Sequence, residues 1–186
     1  TYDGTVAFAG HGFQVHVGHN KPTSRGSITA TSSDIRVHPK IQFNYLSTES
    51  DRAGFRASVR LTREIMQQKS MKPFLGQAIQ PSDNIQSDDE IDEFIKNSVD
   101  SAYHPCGTCK IGKGNNAVVD ENLKVHGING LRVIDSSVFP SIPNGNLNAP
   151  TMMLAERGAD IIKNKLLNPD KKVNIYLNKN WQNSQK

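Results

Sequence analysis

The side chains best able to do chemistry stand together in Tyr103-His104-Pro105-Cys106-Gly107-Thr108-Cys109. Imidazole titrates near neutrality, so His104 can accept an alcohol proton as hydride leaves the adjoining carbon. A lone histidine is more often structural than catalytic, and Pro105 and Gly107 add only rigidity and a turn. His11, His16, His19, His38 and His126 have less context and read as surface or strand residues. Cys106 and Cys109, the two cysteines of the chain, form a C-x-x-C. Zinc could recruit them with His104 and a further histidine such as His126, but structural zinc usually draws on a second tight ligand pair. A thioredoxin-like pair sits at a strand-to-helix junction, and Lys110-Ile111-Gly112 is a poor helix start. Haem attachment fails because Lys110, not His, follows Cys109. Both cysteines therefore read as buried thiols in a reducing compartment, with a zinc- or thiol-based binding module as the rival.

A second candidate is the loop-to-helix junction Asn144-Gly145-Asn146-Leu147-Asn148-Ala149-Pro150-Thr151. Pro150 falls in the first turn, where a missing N–H costs nothing, and Asn148 suits a cap. A helix start carries unpaired N–H groups and about half a positive charge, so it favours an anion. Asn146 and Asn148 add amide donors on a loop that Gly145 lets approach closely. The plainer reading is an ordinary capped helix; the functional one is a helix start facing a ligand with negative charge.

Periodicity indicates the elements that must position these groups. Phe13, Val15 and Val17 alternate with Gln14 and His16, which predicts a half-buried strand. The turn-rich Lys21-Pro22-Thr23-Ser24-Arg25-Gly26 leads to strand candidates at 27–31 and 40–46, the second with Ile41, Phe43 and Tyr45 on one face. The gaps are too short for helical crossovers, so an antiparallel meander is expected. Over 51–68, Phe55, Val59 and Met66 mark a helical apolar line that Leu61 and Ile65 widen. Ser87-Asp88-Asp89-Glu90 is a capping box ahead of Ile91, Phe94, Ile95 and Val99. A short apolar strand at 131–134 ends at Asp135. The loop 139–150 feeds a helix over 151–167, closed by Asn168-Pro169. On it Met152, Ala155, Ala159, Ile162 and Leu166 lie at core spacing, Met152 and Met153 read as core, and Ala155, Gly158 and Ala159 let another element pack close. Val173, Ile175 and Leu177 suggest an edge strand in a polar tail.

A chain of 186 residues suits one domain or a fragment of a larger one. A hydrophobic fraction of 35% and a mean hydropathy of −0.54 leave much of it wet. The net charge of +4 and pI near 9.1 raise a nucleic-acid partner. Yet no basic run exceeds Lys171-Lys172 and no basic stripe interleaves with aromatics, so the charge reads as a solvated surface. A basic interaction domain is the minor alternative. No apolar run approaches the roughly 20 residues of a membrane-spanning helix, and no signal-peptide pattern opens the chain. The first residue is Thr1, which suggests a processed or cut piece.

Three segments together resemble the carboxy-terminal part of the glucose–methanol–choline (GMC) oxidoreductase family. Pro22-Thr23-Ser24-Arg25-Gly26-Ser27 is similar to the family's PxSRG turn, and His104-Pro105-Cys106-Gly107-Thr108 to its HPxGT catalytic strand. Asp135-Ser136-Ser137-Val138-Phe139-Pro140 with Asn146-Leu147-Asn148-Ala149-Pro150-Thr151 resembles its terminal flavin-binding stretch. Each alone is weak; three in family order over most of the chain are strong. Residues 103–112 and 141–151 are most similar to choline-oxidising members.

The resemblance implies a large enzyme with an FAD-binding domain and a substrate domain built on an antiparallel sheet. This chain would then be an α+β fragment of a two-domain enzyme. Residues 1–100 would be the substrate-domain portion, an antiparallel sheet with flanking helices. Residues 101–168 would carry the catalytic histidine strand and the last strands and helix of the FAD domain, and 169–186 a polar tail. On the same resemblance His104 is the base and Asn146 the partner that holds the substrate oxygen. Asp135 and Ser136 match positions whose backbone approaches FAD, and Leu147 and Asn148 lie near the isoalloxazine pyrimidine end. A helix start suits that end, where the reduced ring carries negative charge. Tyr103 could form one face of a cation–π cage for a trimethylammonium group.

The implied reaction is oxidation of choline to betaine aldehyde, and on to glycine betaine, with hydride passing to flavin N5. Another GMC alcohol dehydrogenase or oxidase is the alternative. The family's G-x-G-x-x-G fingerprint is absent from this chain. FAD is therefore expected to be anchored mainly by a missing amino-terminal part, and the chain alone to be inactive. No metal or nucleic acid is expected as a partner, the electron acceptor is not readable, and the expected location is the cytoplasm, with or without peripheral membrane attachment.

Overall fold

The computed structural model describes residues 9–165. In chain order these form β1 (Ser27–Thr29), β2 (Lys40–Gln42), α1 (Glu49–Met66), α2 (Asp88–Ser98) and α3 (Asn148–Ile162), with 3₁₀ turns at Lys72–Phe74 and Ser136–Val138. β1 and β2 pair antiparallel with Ile28 opposite Ile41. The result is a small α+β fold with a two-stranded sheet and three helices. A side chain at Gly26 would collide with the carbonyl oxygens of Gln42 and Phe43, so glycine is what lets the chain enter β1 beside β2.

The sheet is smaller than the expected meander. No strand forms at Phe13, Val15 and Val17, and all three are exposed. β2 stops at Gln42 because Asn44 and Leu46 take φ of 57° and 59°, outside the extended region. Phe43 and Tyr45 stack on each other at 5.0 Å instead of lining a strand face. The expected strand at 131–134 is reduced to a single bridge, Lys124 to Arg132.

α1 opens at Thr48, whose hydroxyl accepts from the Asp51 N–H. Its inward line is narrower than expected: Val59 is buried with Phe55 beside it, while Leu61 and Ile65 are exposed. α2 begins with the expected capping box. Ser87 Oγ accepts from Glu90 N, and the Glu90 carboxylate accepts from Ser87 N. Ile91 and Ile95 then close on Val59 to form the first core. Arg56 bonds Glu49 and Asp92, and Arg60 bonds Asp88, which fixes the alignment of the two helices more than it stabilises them.

The second core is Val119, Leu123 and Val138, with Ile134, Leu154 and Ile161 packed against it. α3 meets this core through Leu154, Gly158 and Ile161, not through Met152, Ala155, Ala159 and Ile162. Met152, Met153 and Ile162 are exposed. The close approach itself is as expected, since a Cβ at Gly158 would fall 2.6 Å from Ile134 Cγ2. α3 begins at Asn148, about a turn earlier than the reading from Thr151, with Leu147 at the cap and no side-chain capping bond. Asn148 is thus the first helical residue rather than the cap. Leu166, the Asn168-Pro169 stop and the edge strand at 173–177 lie outside the described residues. No helix among the described residues is long and apolar enough to cross a membrane.

Candidate active site

His104 Nε2 lies 3.0 Å from Asn146 Oδ1, a contact that spans 42 positions. His104 is half-buried and Asn146 exposed, so the pair stands at an accessible surface. Turning the amide over exchanges its oxygen for its NH₂, so the pair can hold Nε2 either as donor or as acceptor.

The backbone that delivers the pair is built from a few bonds. The Asp135 carboxylate accepts from Ser137 N at 2.8 Å and starts the turn Ser136–Val138. Cys109 N then donates to Ser137 O at 3.0 Å, and Ile111 N to Val138 O at 2.9 Å. Gly107 has φ +93° and faces the Phe139 carbonyl, with a Cβ position 3.4 Å from that oxygen. The stretch after His104 is thereby fastened to the stretch before Asn146. Tyr103 has φ +59°, uncommon for a bulky residue, and its N–H donates to Ser101 Oγ at 2.9 Å. It is 67% exposed beside His104.

Cys106 and Cys109 are free and only half-buried. Burial pushes the Cys106 thiol up, and the charge of Arg25 works against that rise. The thiol form therefore dominates at neutral pH. His126 Nε2 is 3.1 Å from the Gly112 carbonyl, in the loop beyond Cys109. Among the described residues no three His, Cys, Asp or Glu side chains converge as a metal site would require.

Sequence reading missed Asp51. It is 2% exposed, in the first turn of α1, and accepts from Thr23 N at 2.8 Å, Thr23 Oγ1 at 2.9 Å and Ser24 N at 2.8 Å. Burial drives its carboxyl pKa upward, but the bonds from Ser24 and Thr23 outweigh that and hold it well below the usual range. Asp51 is thus the post on which the Pro22–Ser27 motif turns, and Arg25 leaves that turn with enough reach to influence Cys106. The available signal was Thr48-x-x-Asp51 at a helix start, an acid three positions after the cap.

The residues present suit the ring-facing side of a flavin. Leu147 is 5% exposed, which leaves its backbone as the group to offer, and Asn148 is exposed. No side chain caps α3, so the first-turn N–H groups of Asn148 and Ala149 keep their capacity for an electron-rich partner. Asp135 and Ser136 sit in the turn described above, the carboxylate of Asp135 directed to Ser137 N. Gly112-Lys113-Gly114-Asn115-Asn116-Ala117 has the spacing G-x-G-x-x-A, but it lies in turns and opens no helix, so it makes no dinucleotide turn.

A family model described as GMC oxidoreductase matches residues 22–155. The chain belongs to the GMC oxidoreductase family. It is 54% identical over 187 residues to the oxygen-dependent choline dehydrogenase of Vibrio vulnificus, covering 100% of this chain and 33% of that protein. The enzyme of the same name from Photobacterium profundum is 51% identical over 188 residues, again 100% of this chain and 33% of the relative. The chain therefore spans about a third of the length of the curated relatives it matches. Among solved structures it is similar to pyridoxine 4-oxidase from Mesorbium loti, with a TM-score of 0.75 at 32% identity over 80% of this chain and 29% of that one. An FAD-dependent oxidoreductase from Chaetomium thermophilum gives 0.75 at 31% identity over 79% and 26%. Both share the fold of this chain over the matched residues.

Proposed function

We propose that the full-length protein is an FAD-dependent choline dehydrogenase that oxidises choline to betaine aldehyde, and that this chain carries its base and the groups facing the flavin ring. The observation that carries the reading is the 3.0 Å contact of His104 with Asn146 in a GMC chain. The choice of choline follows the relatives named oxygen-dependent choline dehydrogenase. Residues up to about 100 belong on this reading to the substrate domain and 101–168 to the FAD domain, each with its own core.

His104 accepts the hydroxyl proton at a ring nitrogen. Asn146 holds the substrate oxygen through its amide, which stabilises negative charge as the proton leaves. FAD, when bound, supplies the acceptor for the hydride that departs from the substrate carbon. The backbone of Asp135, Ser136 and Leu147, with Asn148 at the start of α3, would hold its ring-bearing part. The hydrate of betaine aldehyde presents a hydroxyl of the same kind to His104, so oxidation on to glycine betaine uses the same groups. Tyr103 offers a ring face to the trimethylammonium group.

The test is oxidation of choline against its uncharged isostere 3,3-dimethylbutan-1-ol by the full-length enzyme. Betaine aldehyde is the expected product, and its absence would move the protein to another GMC alcohol oxidation. Tyr103→Ala should raise KM for choline about five- to thirtyfold more than for the isostere, the size of a desolvated cation–π contact. Equal effects on both alcohols would remove Tyr103 as a cation contact.

A further inference from the structure

Both arms of the His104–Asn146 pair converge on one short turn. The His104 arm is tied to it by Cys109 N to Ser137 O and by Ile111 N to Val138 O. The Asn146 arm is its direct continuation through Phe139 and Pro140. Val138, 1% exposed, pins the turn into the second core, and Phe139 O lies against Gly107. What closes the turn is the Asp135 carboxylate, which accepts from Ser137 N at 2.8 Å from an extended backbone with φ −151° and ψ −178°. That is the geometry of a capping residue.

We infer that Asp135 is a positioning residue for the His104–Asn146 pair, acting through its side chain on the Ser136–Val138 turn. This goes beyond the approach of its backbone to FAD, and it rests on the reading of His104 as the base. The requirement is for one acceptor at Ser137 N. Asparagine meets it and alanine does not, so the negative charge is dispensable while the hydrogen bond is not. Loosening the turn shifts His104 and Asn146 relative to each other. Small displacements of reacting groups slow chemistry far more than they weaken binding.

The experiment compares Asp135→Ala and Asp135→Asn in the full-length holoenzyme, by anaerobic flavin reduction with choline and by amide hydrogen exchange. Asp135→Ala should slow reduction about tenfold with KM within about twofold, and Asp135→Asn should recover most of the rate that Asp135→Ala loses. In Asp135→Ala the amides of Cys109 and Ile111 should exchange faster, while those of α1 and α2 are unchanged. If Asp135→Ala does not accumulate as folded protein, Asp135→Glu, with its carboxylate displaced by one methylene, carries the same comparison. An Asp135→Asn enzyme as slow as Asp135→Ala would overturn the inference, since charge would then be the active property. So would wild-type reduction and exchange in Asp135→Ala. Failure of the base reading has a different signature: His104→Ala would reduce flavin normally, while the exchange response of Cys109 and Ile111 to Asp135→Ala would persist and still support the hold of Asp135 on the turn.

Discussion

Two aspartates organise the chain by giving their carboxylates to backbone N–H groups, and neither does so with an arginine or lysine partner in that bond. Asp135 satisfies Ser137 N at an exposed turn. Asp51 does the same for Thr23 and Ser24 from a buried position. A carboxylate sealed among donors is stable only while it is ionised. Asp51→Ala should therefore destabilise the protein by about 2–4 kcal/mol at pH 7, through donors left unpaired. The folded pKa of Asp51 is depressed. Its contribution is thus fully present above the unfolded value of about 4 and is lost as pH falls below it toward the folded pKa. Urea unfolding of wild type and Asp51→Ala at pH 7 and pH 3 measures this. The gap should narrow in acid, and a constant gap would show that the carboxylate's ionisation contributes nothing. The meeting of His104 and Asn146 could be anticipated from the sequence because both stand in motifs of one family resemblance. Asp51 carried only a helix-start signal, because its burial depends on a turn 28 positions away.

At the scale of elements, the capping box and the antiparallel pairing were legible, while strand length and the inner face of α3 were not. The Ser87 capping box forms as its four residues dictate, and Ser87→Ala should cost about 1 kcal/mol in urea unfolding. The meander was reduced to one antiparallel pair because alternation alone cannot register the positive φ of Asn44 and Leu46, which ends β2. The inner face of α3 was not legible because Met152, Met153, Leu154, Ile161 and Ile162 place apolar groups almost all round it. What decides the face is the glycine: a Cβ at Gly158 would fall 2.6 Å from Ile134 Cγ2 and 3.3 Å from Leu123 Cδ1, so a side chain there would hold the helix off the core. Gly158→Val should destabilise by about 2–3 kcal/mol through overpacking, and Ile134→Ala should recover part of that loss in the double variant. Additive losses would mean that the two residues do not press on each other.

For the whole molecule, the division of labour follows from what the chain contains. On the proposed reading it has the ring-facing groups, with His104 in contact with Asn146 just before the start of α3, and among the described residues no Gly-rich turn opens a helix for a pyrophosphate. A few polar contacts do not offset the entropy of ordering a free dinucleotide. The purified 186-residue chain is therefore expected to be colourless, and a stoichiometric yellow FAD complex would place the anchoring site within it. In the full-length enzyme the role proposed for His104 is removal of the substrate proton. Its most direct test is anaerobic stopped-flow reduction of the flavin by choline in His104→Ala. The rate should fall by about 10²–10⁴, with choline affinity little changed. Reduction at the wild-type rate would contradict the assignment.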